Sequence, residues 1–322
     1  MPYAIRIHEA GGPETMRWEE VQPDSPGPGE VLVRNTAVGL NFIDVYHRRG
    51  LYRYALPLTL GREGAGIVEA TGPKVKEFKI GDRVAYEQPI GSYAEMCLRP
   101  VARLVKIPIG IDDKVAAAIM MKGLTAWFLI RRTYKVKKGD TILMHAAAGG
   151  VGQILCQWAK HLGATVIGTV GSDEKAALAK QAGCKYVIVT SKEKFVERVK
   201  QITKGKGVPV VYDGIGKDTF MDSLDCLAPL GLMVSFGDAS GAMTHFNPGV
   251  LAKGSLFLTR PGLLHYTAKR EQLVQAAREL FAVVKEKAVK ISINQTYPLR
   301  EAAQAHPDLE ARRTTGSTVL LP

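Results

Sequence analysis

Three glycines, Gly149, Gly150 and Gly152, follow three alanines in the stretch HAAAGGVGQILCQWAKHLGA, residues 145–164. Side chains are stripped from the backbone there, and a helical pattern follows at once. Val151, Leu155, Trp158 and Leu162 recur on one stripe, and Gly163 stands where a helix C-terminal glycine belongs. A helix N-terminus offers unpaired N–H groups and the positive end of a dipole, so bare backbone at that point suits a closely approaching anion. In the pattern G-x-G-x-x-G the positions are Ala147, Gly149 and Gly152, with alanine at the first. Gly149 would let a pyrophosphate reach the backbone, and Gly152 would let the helix pack tightly on the strand "TILMH" before it. A lone glycine turn could equally hold nothing; strand before and helix after favour a dinucleotide.

The end of the next strand selects the dinucleotide, because NAD sites place an acidic residue about 20 positions on to take the ribose 2′-hydroxyl. Counting on from Gly152 reaches Val170, Gly171 and Ser172, none acidic. The following helix opens "SDEKAALAK": Ser172 can cap it, and Asp173 and Glu174 suit its positive end. Lys175 does not, since a cation in the first turn meets a partial charge of its own sign. A 2′-phosphate there would make the lysine favourable, which points to NADPH; an ordinary surface lysine would cost about a few tenths of a kcal/mol.

These residues need elements to position them. In the second half, short apolar runs begin near Thr141, Thr165, Tyr186, Val208, Leu232 and Ser255, with helix-like text between most of them. That alternation predicts an α/β fold, a doubly wound parallel six-stranded sheet. The first 120 residues differ: "VLVRNTAV" and "GAGIVEATG" read as strands, broken by Gly and Pro at "PDSPGPGE", "TGPKV" and "PIGS", the texture of an antiparallel β domain. After a long helical pattern from Ala268 to about Lys287, "STVLLP" returns to strand, so the last segment is expected to rejoin the first domain. The expected domains are 1–122 with 263–322, and 123–262. A chain of 322 residues exceeds what one core usually serves.

Composition narrows the function. Cys97, Cys156, Cys184 and Cys226 are scattered, with no C-x-x-C pair, which argues against disulfides and a four-thiolate zinc site. No apolar run is long enough to span a bilayer, and the N-terminus lacks a secretory pattern, so a cytoplasmic, non-membrane protein is expected. The net charge of +12 attracts anions generally. No RNP-like or zinc-finger pattern focuses it, so nucleic acid is not the expected partner, although the charge leaves it open.

From Gly139-Asp140 through Leu143, Ala147-Ala148-Gly149-Gly150, Gly152, Gln157 and Lys160, the segment resembles the signature of the quinone oxidoreductase and zeta-crystallin branch of the medium-chain dehydrogenase/reductases. "GLNFIDVYHRRGLY", "GREGAGIVEATG", "GDRVAYEQPIGSYAE", "YDGIGKDTF", "GLMVSFG" and "LTRPG" extend the similarity over essentially the whole chain. The resemblance implies a GroES-like, mostly antiparallel β substrate domain, a Rossmann-type nucleotide domain, and an active site in the cleft between them. Zinc relatives use a cysteine, a histidine and a further ligand; here the corresponding texts read "GLNFID", with Asn41, and Gly61-Arg62-Glu63. Near residues 90 to 110 only Cys97 is a cysteine. No metal site is therefore expected, and without a Lewis acid the acceptor must already be electrophilic, as quinones are.

By the resemblance, Asn41, Tyr46 and Tyr52 line the nicotinamide side, the tyrosines offering flat faces to a ring and hydroxyls to its oxygens, and Trp127 stands where some relatives have a tyrosine. The implied NADPH contacts are Ala148, Gly149, Gly150 and Val151 of the turn, Gly171, Ser172, Lys175, Thr190, Phe236, Leu258, Thr259 and Arg312. Thr190 replaces a tyrosine of relatives at the phosphate end, so preference for NADPH rests more on Lys175 and Arg312. His47 and His145 are the nearest histidines but poor candidates as proton donors, since a hydroquinone anion can take its proton from water. Asp213 reads as a turn carboxylate. A homodimer joined through the edge strand near "GSLFLT" is expected. Two other functions stay open: reduction of α,β-unsaturated carbonyls or enoyl thioesters, with Tyr52 or Tyr46 as proton donor, and an NADPH-binding sensor, structural or RNA-binding protein.

Overall fold

The computed structural model describes residues 1–322, which divide into two compact units: Met1–Lys122 with Lys269–Lys285 and Ile291–Pro322, and Gly123–Ala268 with Glu286–Lys290. The first unit begins with β1 (Tyr3–Ile7), β2 (Met16–Glu20), β3 (Glu30–Leu40), helix α1 (Phe42–Arg48), β4 (Leu58–Thr59), β5 (Glu63–Thr71), β6 (Arg83–Tyr86), β7 (Met96–Pro100) and β8 (Leu104–Lys106). Helix α2 (Asp113–Phe128) follows and contains the boundary at Lys122.

The second unit is built as strand and helix in turn: β9 (Thr141–Met144), α3 (Gly150–His161), β10 (Thr165–Val170), α4 (Asp173–Gln181), β11 (Tyr186–Val189), α5 (Phe195–Ile202), β12 (Val208–Asp213), α6 (Phe220–Leu224), β13 (Leu227–Ser235) and β14 (Phe257–Thr259). Its six strands are all parallel, in the order β11-β10-β9-β12-β13-β14. Strand order therefore reverses between β9 and β12, and ligands of such sheets bind beyond the strand C-termini at that point. The sheet is apolar on both faces, with Leu143, Ile167, Ile188, Val211 and Met233 in one core cluster with Phe195, Val199 and Leu224 from α5 and α6; each such side chain contributes roughly 1.5–3 kcal/mol by leaving water. The fifth strand run extends further back than the apolar text "LMVSF" suggests, because Leu227 already pairs with Val208 before a register irregularity.

After the helix Arg270–Lys285, shorter by about a residue or two at each end than its periodicity indicates, the chain adds β15 (Ile293–Pro298) and β16 (Ser317–Leu321) to the first unit. They complete a seven-stranded sheet, β15-β16-β3-β5-β6-β8 with β7 also on β3, antiparallel except for the β15–β16 pair. Long β3 alternates inward Val31 and Val33 with more exposed neighbours, as a pleated strand over one core must. β2, β1 and β4 form a separate antiparallel sheet. The observed architecture is a Rossmann-type sheet together with a mostly antiparallel β unit.

Candidate functional site

In the second unit, α3 starts at Gly149 as N-cap, and no side chain caps it or places an acid in its first turn. The turn is tight: Ala146 sits at φ 52°, and Gly149 N donates to Ala146 O at 2.9 Å. Gln153 N is the amide that closes on Gly149 O, and the Gln153 side chain braces the turn through Nε2 to Ala148 O at 2.8 Å. The backbone N–H groups before Gln153 are thus left for an outside acceptor. A Cβ at position 152 would stand 2.4 Å from Ala146 O and 2.8 Å from Ala147 Cα, so only glycine fits where helix meets turn. Gly163 ends the helix at φ 86°.

Around this turn lie the C-terminal ends of the neighbouring strands. Gly171, after β10, has open space where a side chain would be. Ser172 caps α4 and accepts from Lys175 N at 3.5 Å, and Lys175 is half-buried in the first turn. Thr190, exposed at the end of β11, turns its Oγ1 onto Val170 O at 3.2 Å. Phe236 follows β13, its amide on Asp213 O at 2.8 Å, and Leu258 and Thr259 lie half-buried on β14.

Two polar residues of this edge are internal fasteners. His145 is wholly buried, with Nδ1 2.8 Å from Thr169 Oγ1 and Nε2 2.9 Å from Ser223 Oγ. Burial lowers its pKa and keeps it neutral. Asp213 accepts from the amides of Ile215 at 2.7 Å and Gly216 at 3.2 Å and from Thr219 Oγ1 at 2.8 Å, the turn carboxylate its sequence context indicates. Trp127, 2% exposed, lies under the Arg132 guanidinium 5.6 Å from its ring.

In the first unit, Asn41 is the N-cap of α1 and is held from two sides: its amide donates to Asp44 Oδ2 at 2.9 Å, and its Nδ2 donates to Glu63 Oε1 at 2.8 Å. Glu63, wholly buried, also accepts from Lys122 Nζ at 2.7 Å and Met121 N at 2.6 Å. Rings gather on and after α1: Tyr46 lies 5.4 Å from Phe42 and 6.3 Å from Tyr52, and His47 packs edge-on to Tyr52 and Tyr54 at 5.6 and 5.2 Å. Tyr52 is 47% exposed, a face open to a ligand.

Beneath α1 runs a buried polar chain with a fixed direction. Arg48 Nη1 donates to His306 Nδ1 at 3.0 Å; because arginine can only donate, the His306 proton sits on Nε2 and points to Tyr93 Oη at 3.2 Å. Tyr93 Oη in turn donates to Asp44 Oδ2 at 3.1 Å. Burial raises Asp44 to about 7, against the bonds that lower it, and Asp44 Oδ1 has no partner. His47 is pushed down to about 4, first by burial and then by the Arg62 guanidinium, and His306 down to about 3 by burial and Arg48.

The structure thus gathers Asn41, Tyr46 and Tyr52 on one unit and Ala148 to Val151, Gly171, Ser172, Lys175, Thr190, Phe236, Leu258 and Thr259 along one sheet edge of the other. Arg312 belongs to the first unit, exposed at φ 58°. Sequence reasoning missed the Glu63–Lys122 support of Asn41 and the Asp44–Tyr93–His306–Arg48 chain. The spacing of Asn41 and Asp44, an N-cap and its third helical residue, was the available signal for the first link. His, Cys, Asp and Glu side chains form no group of three that could hold a metal, and no helix is long and apolar enough to cross a membrane.

These two arrangements have known counterparts. The family described as Zinc-binding dehydrogenase matches residues 150–281, and the one described as Alcohol dehydrogenase GroES-like domain matches residues 27–109. The quinone oxidoreductase of Pseudomonas aeruginosa is 54% identical over 325 residues, covering 100% of both chains. The 2-haloacrylate reductase of Burkholderia sp. is 47% identical over 331 residues, covering 100% of this chain and 99% of that one. The crystal structure of Escherichia coli quinone oxidoreductase complexed with NADPH matches with a TM-score of 0.98 at 48% identity, covering 99% of this chain and 100% of the other. An uncapped helix end on a six-stranded parallel sheet, an asparagine-capped α1 on a GroES-like unit, and identity sustained from end to end together place the chain in the quinone oxidoreductase branch of the medium-chain dehydrogenase/reductase superfamily.

Proposed function

We propose that the chain reduces quinones with NADPH by hydride transfer and without a metal. The observation that carries this reading is the uncapped amide end of α3 at the C-terminal edge of the parallel sheet. The residues fit a dinucleotide: backbone donors face outward, no acid opposes a phosphate in the first turn, and the space at Gly171 is open. Bound NADPH supplies the hydride. Ala148, Gly149, Gly150 and Val151 take its pyrophosphate, Ser172, Lys175, Thr190 and Arg312 its phosphorylated ribose end, and Phe236, Leu258 and Thr259 the other half. Asn41, Tyr46 and Tyr52 orient the quinone, with Trp127 as a rigid wall. Holding the reacting atoms about 3–3.5 Å apart, away from water, supplies much of the acceleration. A quinone needs no Lewis acid, so the absence of a ligand cluster costs the reaction nothing.

The chain pairs with a second copy through β14, the edge strand, whose Phe257 is 58% exposed. A reducing, cytoplasmic setting suits its four free cysteines. The test follows NADPH and NADH consumption with quinones, enones, aldehydes and 2-chloroacrylate. Quinone-dependent NADPH oxidation is expected, and Lys175→Glu should raise KM for NADPH at least tenfold more than for NADH, since a bound phosphate loses its counter-charge. Equal effects on both cofactors overturn the cofactor assignment. Turnover of 2-chloroacrylate with no quinone reduced would replace the acceptor assignment by conjugate reduction.

A further inference from the structure

Arg62 shares its only counter-charge, Glu87, with a second arginine. It stands in the bend just before β5, with its side chain only 11% exposed. Its Nε donates to Glu87 O at 3.3 Å, and its Nη2 forms a long ion pair with Glu87 Oε2 at 3.6 Å. The wholly buried Glu87 carboxylate is already taken by Arg103 at Oε1. Two guanidiniums therefore share one carboxylate. The terminal nitrogens of Arg62 are held only by that long ion pair to Glu87, and neither is sealed from solvent as Glu87 Oε2 is. The same guanidinium acts on α1, where its field falls on both Asp44 and His47. Of the other charges nearby, Glu63 is taken by Lys122 and Asn41, and Asp44 Oδ2 by Tyr93 and the Asn41 amide, while Asp44 Oδ1 has no hydrogen-bond partner.

We propose that Arg62 is a catalytic residue whose loosely paired N–H groups turn to the acceptor oxygen as it becomes negative, making the chain able to reduce electron-rich quinones. This rests on the quinone-reductase reading above. Hydride arrival adds two electrons and one proton to the quinone and oxidises the nicotinamide; the acceptor is left as the hydroquinone monoanion, and a proton from water completes the hydroquinone. A preorganised donor aimed at developing charge in a partly desolvated site is worth about 10²–10³ in rate.

Two measurements on the full chain test this. In the first, 4-nitrophenol stands in for the hydroquinone anion and is titrated by absorbance when bound with NADP+ to the wild type and to Arg62→Met, with Arg62→Gln and Arg62→Lys in reserve should the apolar variant fail to fold. The bound phenol should ionise at least about one pH unit lower in the wild type than in the Met or Gln protein, as an opposite charge within about 4–6 Å requires, with Lys between. In the second, kcat is compared across 1,4-benzoquinones of rising electron density. Arg62→Met should lose about tenfold on electron-poor rings and about 100-fold on electron-rich ones, with NADPH affinity within about twofold. Identical phenol titration in wild type and variant, or one uniform factor across the series, overturns the proposal. If the wild type reduces no quinone, the function reading falls, and the phenol titration still decides for or against Arg62.

Discussion

Glu63 shows what one buried carboxylate demands of its neighbours. It is wholly buried, and Lys122, Asn41 and the Met121 amide saturate its two oxygens. Removing one partner of such a pair leaves the other charge uncompensated, which costs roughly 3–5 kcal/mol, whereas replacing both by apolar groups is often neutral. Glu63→Leu alone should therefore lower stability by about that amount in urea unfolding, while Glu63→Leu with Lys122→Leu should recover most of it. Turnover should not recover in the double variant, because Asn41 has lost the acceptor that orients its amide. Equal activity in the double variant and the wild type would remove Asn41 from the site. The motif around Asn41 singled it out as a candidate; its support was not legible, since Glu63 and Lys122 lie 22 and 81 positions further along the chain.

Among the elements, α3 does the most with the least side chain. Its start was readable because each signal is local: the strand "TILM", the small residues, the apolar stripe and the terminal Gly163 all act within about 20 residues. Packing adds a constraint that propensity alone does not express. Alanine is a better helix former than glycine, but at position 152 its Cβ meets Ala146 O at 2.4 Å, a backbone atom with nowhere to go. Gly152→Ala should thus destabilise by about 1–3 kcal/mol despite its propensity, and should weaken NADPH binding at least tenfold in calorimetry as the helix end is pushed off the turn. A more stable variant with intact binding would refute the close-packing account. Element ends were less legible: β13 begins at Leu227 because pairing with Val208 recruits residues whose own text is not strand-like.

At the scale of the whole molecule, buried titratable groups set the response to acid. His47 and His306 are held neutral, down to about 4 and about 3, by burial aided by Arg62 and Arg48. Their folded values lie below the unfolded one near 6.5, so the unfolded state binds more protons and stability falls as pH drops from about 6.5 towards 4. Asp44, raised to about 7 by burial, works in the opposite sense, favouring the folded state as pH falls from about 7 to 4. Two groups against one predict a melting temperature that declines between pH 6.5 and 4. His306→Gln, which can still accept from Arg48 and donate to Tyr93, should flatten that decline in a thermal-shift series; an unchanged slope would clear His306 of the effect. Association belongs to the same scale: if the proposed dimer forms through β14, Phe257→Lys should convert it to monomer in sedimentation velocity, by placing a charge on that edge strand, and a wild type that sediments as a monomer overturns the pairing.

The sequence by itself determined the alternating sheet, the bare-backbone turn into α3 and its capping glycine, because periodicity, glycine placement and capping act between residues near one another in the chain. Tertiary structure alone decided which charges are buried and how they are paired. Arg48 and His306 are 258 positions apart, and only the rejoining of the C-terminal segment to the first unit brings them into contact. The shared pairing of Arg62 and Arg103 with Glu87 depends in the same way on where each side chain ends, since a buried ion is defined by the partners that folding delivers.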